Sequence, residues 1–382
     1  MEWTWPADPR GAIEGVDALL SPSLVIDRGL VRRNLEAMIA LAGGADRLRP
    51  HVKTHKMAAV VRLAGSLGIR KHKCATLAEA EMVAAAGGDD VLIAYPLVGP
   101  NPGRLAELAD AYPATTFRAL VEDPEGARGL SKVFSARSRR PLSILIDLDV
   151  GMSRTGLPVS AAAGLCERVG DLPGLVFGGL HAYDGQIRES DPEQRRLAAA
   201  GGMEAVLGLR DRLIAGGLPV ERIVLGGTPT FPVHAALTVP GVECSPGTCV
   251  LHDAGYASRF PDLPFLPAAA LLTRVVSRPR PGRLCLDLGH KAVAADPPGA
   301  RLTLLGIPEG RLGSQSEEHL IVETPHAADF PTGTPLFAIP THICPTCALH
   351  RAAYVIEGGQ LVETWEVTAR DRALSIENPG ET

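Results

Sequence analysis

The sequence has no excess of positive charge. Its 38 Lys and Arg face 43 Asp and Glu, for a net charge of -5, and no basic stretch is interleaved with aromatic residues, which make up only 4% of the chain. Nucleic acid is therefore excluded as a partner. No apolar run reaches bilayer-spanning length, and the start Met1-Glu2-Trp3-Thr4-Trp5 lacks a charged segment followed by an apolar one. Neither a membrane span nor a secretory leader is expected, and the chain reads as cytoplasmic. Seven cysteines, an odd number scattered over 382 residues, exclude a disulfide framework and point to reduced thiols in a reducing compartment. Internal repeats, long linkers and low-complexity tracts are absent as well.

What is present is enough for a barrel-sized domain and a smaller companion: 382 residues, 46% of them hydrophobic and 21% charged. From Ser23 onward, β-rich runs alternate with helical patterns at βα spacing. The strands expected are 24–26, 48–52, 73–76, 91–95, 117–121, 142–149, 175–183, 223–226 and 242–244, one more than the eight of a (β/α)8 barrel. Helices are expected over 31–41, 77–86, 102–111 and 194–215, with Asp27 capping the first. After about Ser258 the helices stop, and strands at 268–276, 284–288, 302–305, 320–323, 336–339 and 354–356 follow one another. Turns at Pro281-Gly282 and Gly358-Gly359 punctuate two hairpins. The fold class is thus α/β, a (β/α)8 TIM-type barrel over 22–250 with an appended β domain from 1–21 plus 251–382. The last residues, Glu377 to Thr382, are expected to fray.

Reactive side chains gather where strands end. Arg49-Pro50-His51-Val52-Lys53-Thr54-His55-Lys56 places Lys53 at the carboxyl end of a strand, where a lysine amine can meet a carbonyl compound. Neighbouring His51, His55 and Lys56 would push its pKa down. Taken alone, the stretch reads equally well as a solvated basic loop. Asp147 to Gly156 ends an apolar strand with carboxylates and delivers Arg154 to the rim, as an oxyanion donor or as a surface partner of Asp149. His181 and Tyr183 alternate along another strand end and share a face; either could shuttle a proton, or His181 could be a satisfied structural residue. Gly226-Gly227-Thr228-Pro229-Thr230 and Ser245-Pro246-Gly247-Thr248 are small-residue loops after consecutive late strands, suited to phosphate.

Pro340-Thr341-His342-Ile343-Cys344-Pro345-Thr346-Cys347 is the sharpest local feature. If the segment is extended, His342 and Cys344 project the same way and form a bidentate grip on a cation such as Zn²⁺. Two ligands leave the open positions that a catalytic metal needs, whereas a structural zinc would recruit Cys347 and His350 too. A buried cysteine beside a satisfied histidine is the plain alternative.

Together, Arg49 to Lys56, Asp147 to Gly156, Gly226 to Thr230, Ser245 to Thr248 and His342 to Cys344 resemble the D-threonine aldolase and D-serine dehydratase family, whose alanine racemase-like fold carries pyridoxal 5'-phosphate. The resemblance runs from about Ser21 to Arg372. It implies that Lys53 holds the cofactor covalently and that Arg154 approaches its phenolic oxygen. Gly227, Thr228, Gly247 and Thr248 would hold its phosphate, and Tyr183 would lie beside its ring. His342 and Cys344 would bind a divalent metal; the thiolate favours zinc over manganese or magnesium. The resemblance further implies that the first strand joins the β domain, that the substrate is a small D-amino acid, and that the chain is a homodimer. Retro-aldol cleavage of a D-β-hydroxy amino acid is the expected reaction, with His181 as base, because the loops Leu286 to Lys291 and Glu317 to His319 are similar to those of aldolases. Dehydration by the same parts is the alternative, followed by a racemase or a non-catalytic carrier of the cofactor.

Overall fold

The computed structural model describes residues 4–11, 13–137 and 140–377. The chain divides into two compact units. One comprises Met38–Lys53, Val60–Gly247 and the stretch from Asp371; the other comprises the residues up to Ala37, Thr54–Ala59 and Thr248–Arg370. The expected fraying from Glu377 onward falls, past that residue, outside the described residues.

The first unit is built on parallel strands Lys71–Cys74, Asp90–Ile93, Thr116–Val121, Leu142–Asp149, Leu175–Ala182, Ile223–Leu225 and Val242–Cys244, hydrogen-bonded in chain order. The expected strand at 48–52 survives only as two parallel bridges, Leu48 to Cys244 and His51 to Lys73. Pro50 explains this, because it has no N–H to give to a ladder. The segment nevertheless stands between the last strand and the first. Arg49 donates its N–H to the Cys244 carbonyl, His51 to that of Pro246, and Lys73 to that of Pro50, each at 2.9 Å. These bonds close the sheet into a barrel. Leu92, Leu120, Leu145 and Val224, from four different strands, pack together as one buried layer. Val52–Thr54 then winds into a 3-10 turn, so Lys53 leaves the barrel on a turn and not on a strand.

The second unit is a nine-stranded sheet. Ser23–Asp27 runs antiparallel to Ala269–Arg280 and parallel to Ala352–Glu357, which accounts for the strand in excess of eight. This pairing draws residues beyond 22 into the sheet unit, past the boundary drawn from the sequence. Asp27 caps the helix that follows, accepting the Leu30 N–H at 3.0 Å. The core includes Val25, Leu272, Phe337, Ile339 and Trp5, whose ring meets Phe337 edge-on at 4.9 Å and whose indole N–H bonds the Pro267 carbonyl. Both expected hairpins form. Two strands were not expected, Arg311–Gln315 and Gln360–Glu366; both are largely exposed and polar, so neither shows an apolar alternation. The helices do not stop at Ser258 either: Ile343–Leu349 is helical.

Candidate functional site

The mouth of the barrel holds a cavity of about 560 Å³ lined by, among others, Lys53, Lys73, Asp147, Arg154, His181 and Tyr183. Each side chain arrives on a strand end or on the turn just after it, which is where parallel barrels keep their chemistry. The Tyr183 ring is the hub: its centroid is 5.7 Å from Lys53 Nζ, 5.7 Å from Lys73 Nζ and 5.2 Å from the Arg154 guanidinium. Cations over an aromatic face are attracted by its quadrupole. Arg154 does not pair with Asp149, whose carboxylate instead accepts the backbone N–H groups of Gly151 and Ser153.

His181 and Asp147 form a buried pair, Nδ1 to Oδ1 at 2.7 Å. Burial lowers the His181 pKa against the opposing charge of Asp147. With Nδ1–H donated to the carboxylate, the lone pair is left on Nε2, a buried atom with no hydrogen-bond partner. Lys73 is a cavity residue that the sequence reading missed. Burial first, then the charge of Lys53, brings its pKa down to about 7. Around Lys53, His55 Nδ1 accepts the Met57 N–H, Lys56 donates to the Ala369 carbonyl, and His51 Nδ1 accepts the N–H of Lys53.

The two glycine loops of the barrel meet, the Gly247 N–H donating to the Thr228 hydroxyl at 3.4 Å. Gly226 has φ +69°, which favours glycine, and a Cβ on Gly227 would lie 2.9 Å from the Tyr183 ring. Behind the loop, Asp184 accepts the Thr230 hydroxyl at 2.8 Å and pairs with His234 Nε2 at 2.7 Å. The loop is thus held from below while its small residues keep the approach open. A cavity of this size, a buried unpartnered nitrogen and a small-residue loop fit a phosphorylated aromatic aldehyde.

In the sheet unit, His342 precedes the helix Ile343–Leu349 and Cys344 lies in its first turn. This corrects the expected extended segment. Pro340 ends the preceding strand, and Pro345 occupies the first turn, where a missing N–H costs nothing. Buried Asp253, which burial pushes up to about 6, accepts the Ile343 N–H at 3.1 Å and caps the turn. The two side chains still face each other. Burial pulls the His342 pKa down, but hydrogen bonding and charge from Cys344 and from Asp296 outweigh it and leave it at about 9. Asp296 Oδ2 lies 2.6 Å from His342 Nδ1, so Nε2 is the nitrogen that could take an ion. Cys344 Sγ lies 3.2 Å from the Thr54 hydroxyl and 3.6 Å from that of Thr248, the residues that follow Lys53 and Gly247 in the chain. Cys347 is fully buried, its thiol pushed well up by burial, and His350 Nε2 is bonded to the Ala292 carbonyl. His350 is thus committed elsewhere, and burial holds Cys347 as a neutral thiol. Among the described residues no group of three or more His, Cys, Asp or Glu could hold a metal ion, so what fits the donor set is a two-residue grip with open positions.

A barrel with a lysine at its mouth and a mainly antiparallel second sheet fit an alanine racemase-like protein. The alanine racemase N-terminal domain family matches residues 26–251 and the serine dehydratase domain family matches 268–356. The chain is 32% identical over 379 residues to the D-threonine aldolase of Arthrobacter sp., covering 96% of each. It is 29% identical to the D-threo-3-hydroxyaspartate dehydratase of Delftia sp., covering 92% of this chain and 98% of that one. The crystal structure of D-threonine aldolase from Filomicrobium marinum superposes with a TM-score of 0.86 at 30% identity, covering 93% of this chain and 97% of that one. The chain belongs to the D-threonine aldolase and D-serine dehydratase family of alanine racemase-like enzymes.

Proposed function

We propose that this chain is a lyase that depends on pyridoxal 5'-phosphate and a divalent metal and cleaves a D-β-hydroxy amino acid to glycine and an aldehyde. The observation that carries the reading is the barrel cavity, where Lys53, Arg154, His181 and Tyr183 line one wall-to-wall space in a relative of D-threonine aldolases. When bound, the cofactor supplies an electron sink at Cα and the metal a Lewis acid at the β-oxygen. Lys53 holds the cofactor covalently, Gly227, Thr228, Gly247 and Thr248 hold its phosphate, Arg154 takes its phenolic oxygen, and Tyr183 orients the ring. His342 and Cys344 hold the ion, zinc by the softness of the thiolate. His181 accepts the β-hydroxyl proton at Nε2, while Asp147 fixes the tautomer that keeps this nitrogen unprotonated.

The relation to a named dehydratase keeps one other reading in view, loss of the β-hydroxyl to give a keto acid and ammonia. Incubation with D-threonine and metal separates the two: glycine with acetaldehyde supports the aldolase, and 2-oxobutyrate with ammonia the dehydratase. Removing the metal with a chelator is expected to abolish turnover while the cofactor absorbance persists. Unaffected turnover would remove the metal role. The reading includes a homodimer, checked by light scattering, and a reducing cytoplasm, which suits seven cysteines that are all free thiols.

A further inference from the structure

We infer that Lys73 is a second proton carrier of the cavity, the amine that returns a proton to Cα after the Cα–Cβ bond has opened. The inference rests on the aldolase reading and adds a residue to it. Lys73 is the third residue of the strand Lys71–Cys74, next to the segment that delivers Lys53, and the backbone bond from its N–H to Pro50 fixes that neighbourhood. Its amine and that of Lys53 lie at the same 5.7 Å from the Tyr183 centroid, so both open on one space.

Its charge is not tied down. Lys73 is only 2% exposed, and among the described residues it makes no ion pair. The carboxylates that face it are committed, Asp147 to His181 and Asp184 to His234 and Thr230. Lys53 and Arg49 repel its protonated form, His181 lines the same cavity, and the Tyr183 ring lies 5.7 Å from each amine. Burial with these neighbours brings the amine to about 7, where it can give and take a proton in neutral water.

The step balances. The β-hydroxyl gives its proton to His181 Nε2 as the Cα–Cβ bond breaks and the carbonyl of the aldehyde forms. The electron pair left at Cα takes a proton from the Lys73 ammonium to form the Cα–H bond of glycine. Solvent carries the proton from His181 to Lys73, and no net proton is consumed.

The test uses the full chain loaded with cofactor and metal, with Lys73→Met, Lys73→Gln and Lys73→Arg beside the wild type. Exchange of the glycine α-hydrogen in deuterated water is followed by NMR, together with cofactor absorbance and D-threonine cleavage. The expected result is normal cofactor absorbance in the Met and Gln variants, with glycine exchange lower by about 100-fold or more. Arginine stays protonated and is expected not to rescue. In the wild type, exchange begins with the neutral amine and should rise as pH passes about 7, a limb that the variants lose. Exchange in Lys73→Met within threefold of wild type would overturn the inference, as would loss of cofactor absorbance in both the Met and Gln variants, which would make Lys73 an anchor. A wild-type enzyme that neither exchanges glycine nor cleaves D-threonine would instead sink the aldolase reading, and the inference with it.

Discussion

His181 in the barrel and His342 in the sheet unit both lean on an aspartate through Nδ1, at 2.7 and 2.6 Å, yet their settings are opposite. The His181 and Asp147 side chains are 5% and 6% exposed; those of His342 and Asp296 are 38% and 56% exposed. Burial disfavours charge, so the barrel histidine is held neutral and ready to accept a proton. Burial lowers the His342 pKa too, but hydrogen bonding and charge from Cys344 and Asp296 outweigh it and raise it. In the proposed mechanism one local motif serves a base in one unit and a ligand in the other, set apart by how deeply each is buried.

Substitutions in the two units should have separable effects. Lys53→Ala should cause the greatest loss, about 10⁴-fold or more in turnover, because it removes the proposed covalent anchor from the barrel cavity. Its effect on metal content, measured by equilibrium dialysis, should be nil. Leu145→Ala opens a hole in the buried layer shared with Leu92, Leu120 and Val224 and should cost about 3 kcal/mol, read as a lower denaturant midpoint. Asp296→Asn should weaken metal affinity about 10–100-fold, by loosening the hold on His342 Nδ1, and leave the cofactor absorbance unchanged.

Acid should act on both units alike. His72 in the barrel and His252 in the sheet unit are buried, and burial lowers their pKa values to about 3 and about 4. Between those values and about 6.5 the unfolded chain binds more protons than the folded one, so stability should fall as pH drops through that window. Melting temperatures at pH 7 and pH 4.5 would show it. His72→Gln should flatten the slope; an unchanged slope would locate the sensitivity elsewhere.

Much of this was legible in the sequence, for reasons that differ along the chain. The strands at 142–149 and 242–244 emerge with the boundaries read from their apolar runs. The segment at 48–52 misled because its run is apolar enough for a strand while Pro50 denies it a ladder. His342 and Cys344 were found as a pair, but Pro345 was the overlooked sign that a helix starts between them. Lys73 stayed hidden because a lysine at the head of a short strand is ordinary until barrel closure puts that strand beside the Lys53 segment. Asp296 lies 46 residues from the histidine it orients, and no local pattern could join them.

The account turns on which amine carries the cofactor, and one measurement addresses that directly. Borohydride reduction of the cofactor-loaded protein fixes the pyridoxyl group to the nitrogen that holds it, and peptide mass spectrometry then locates it. The label should be found on Lys53. Label on Lys73, or on no lysine of the cavity, would contradict the account.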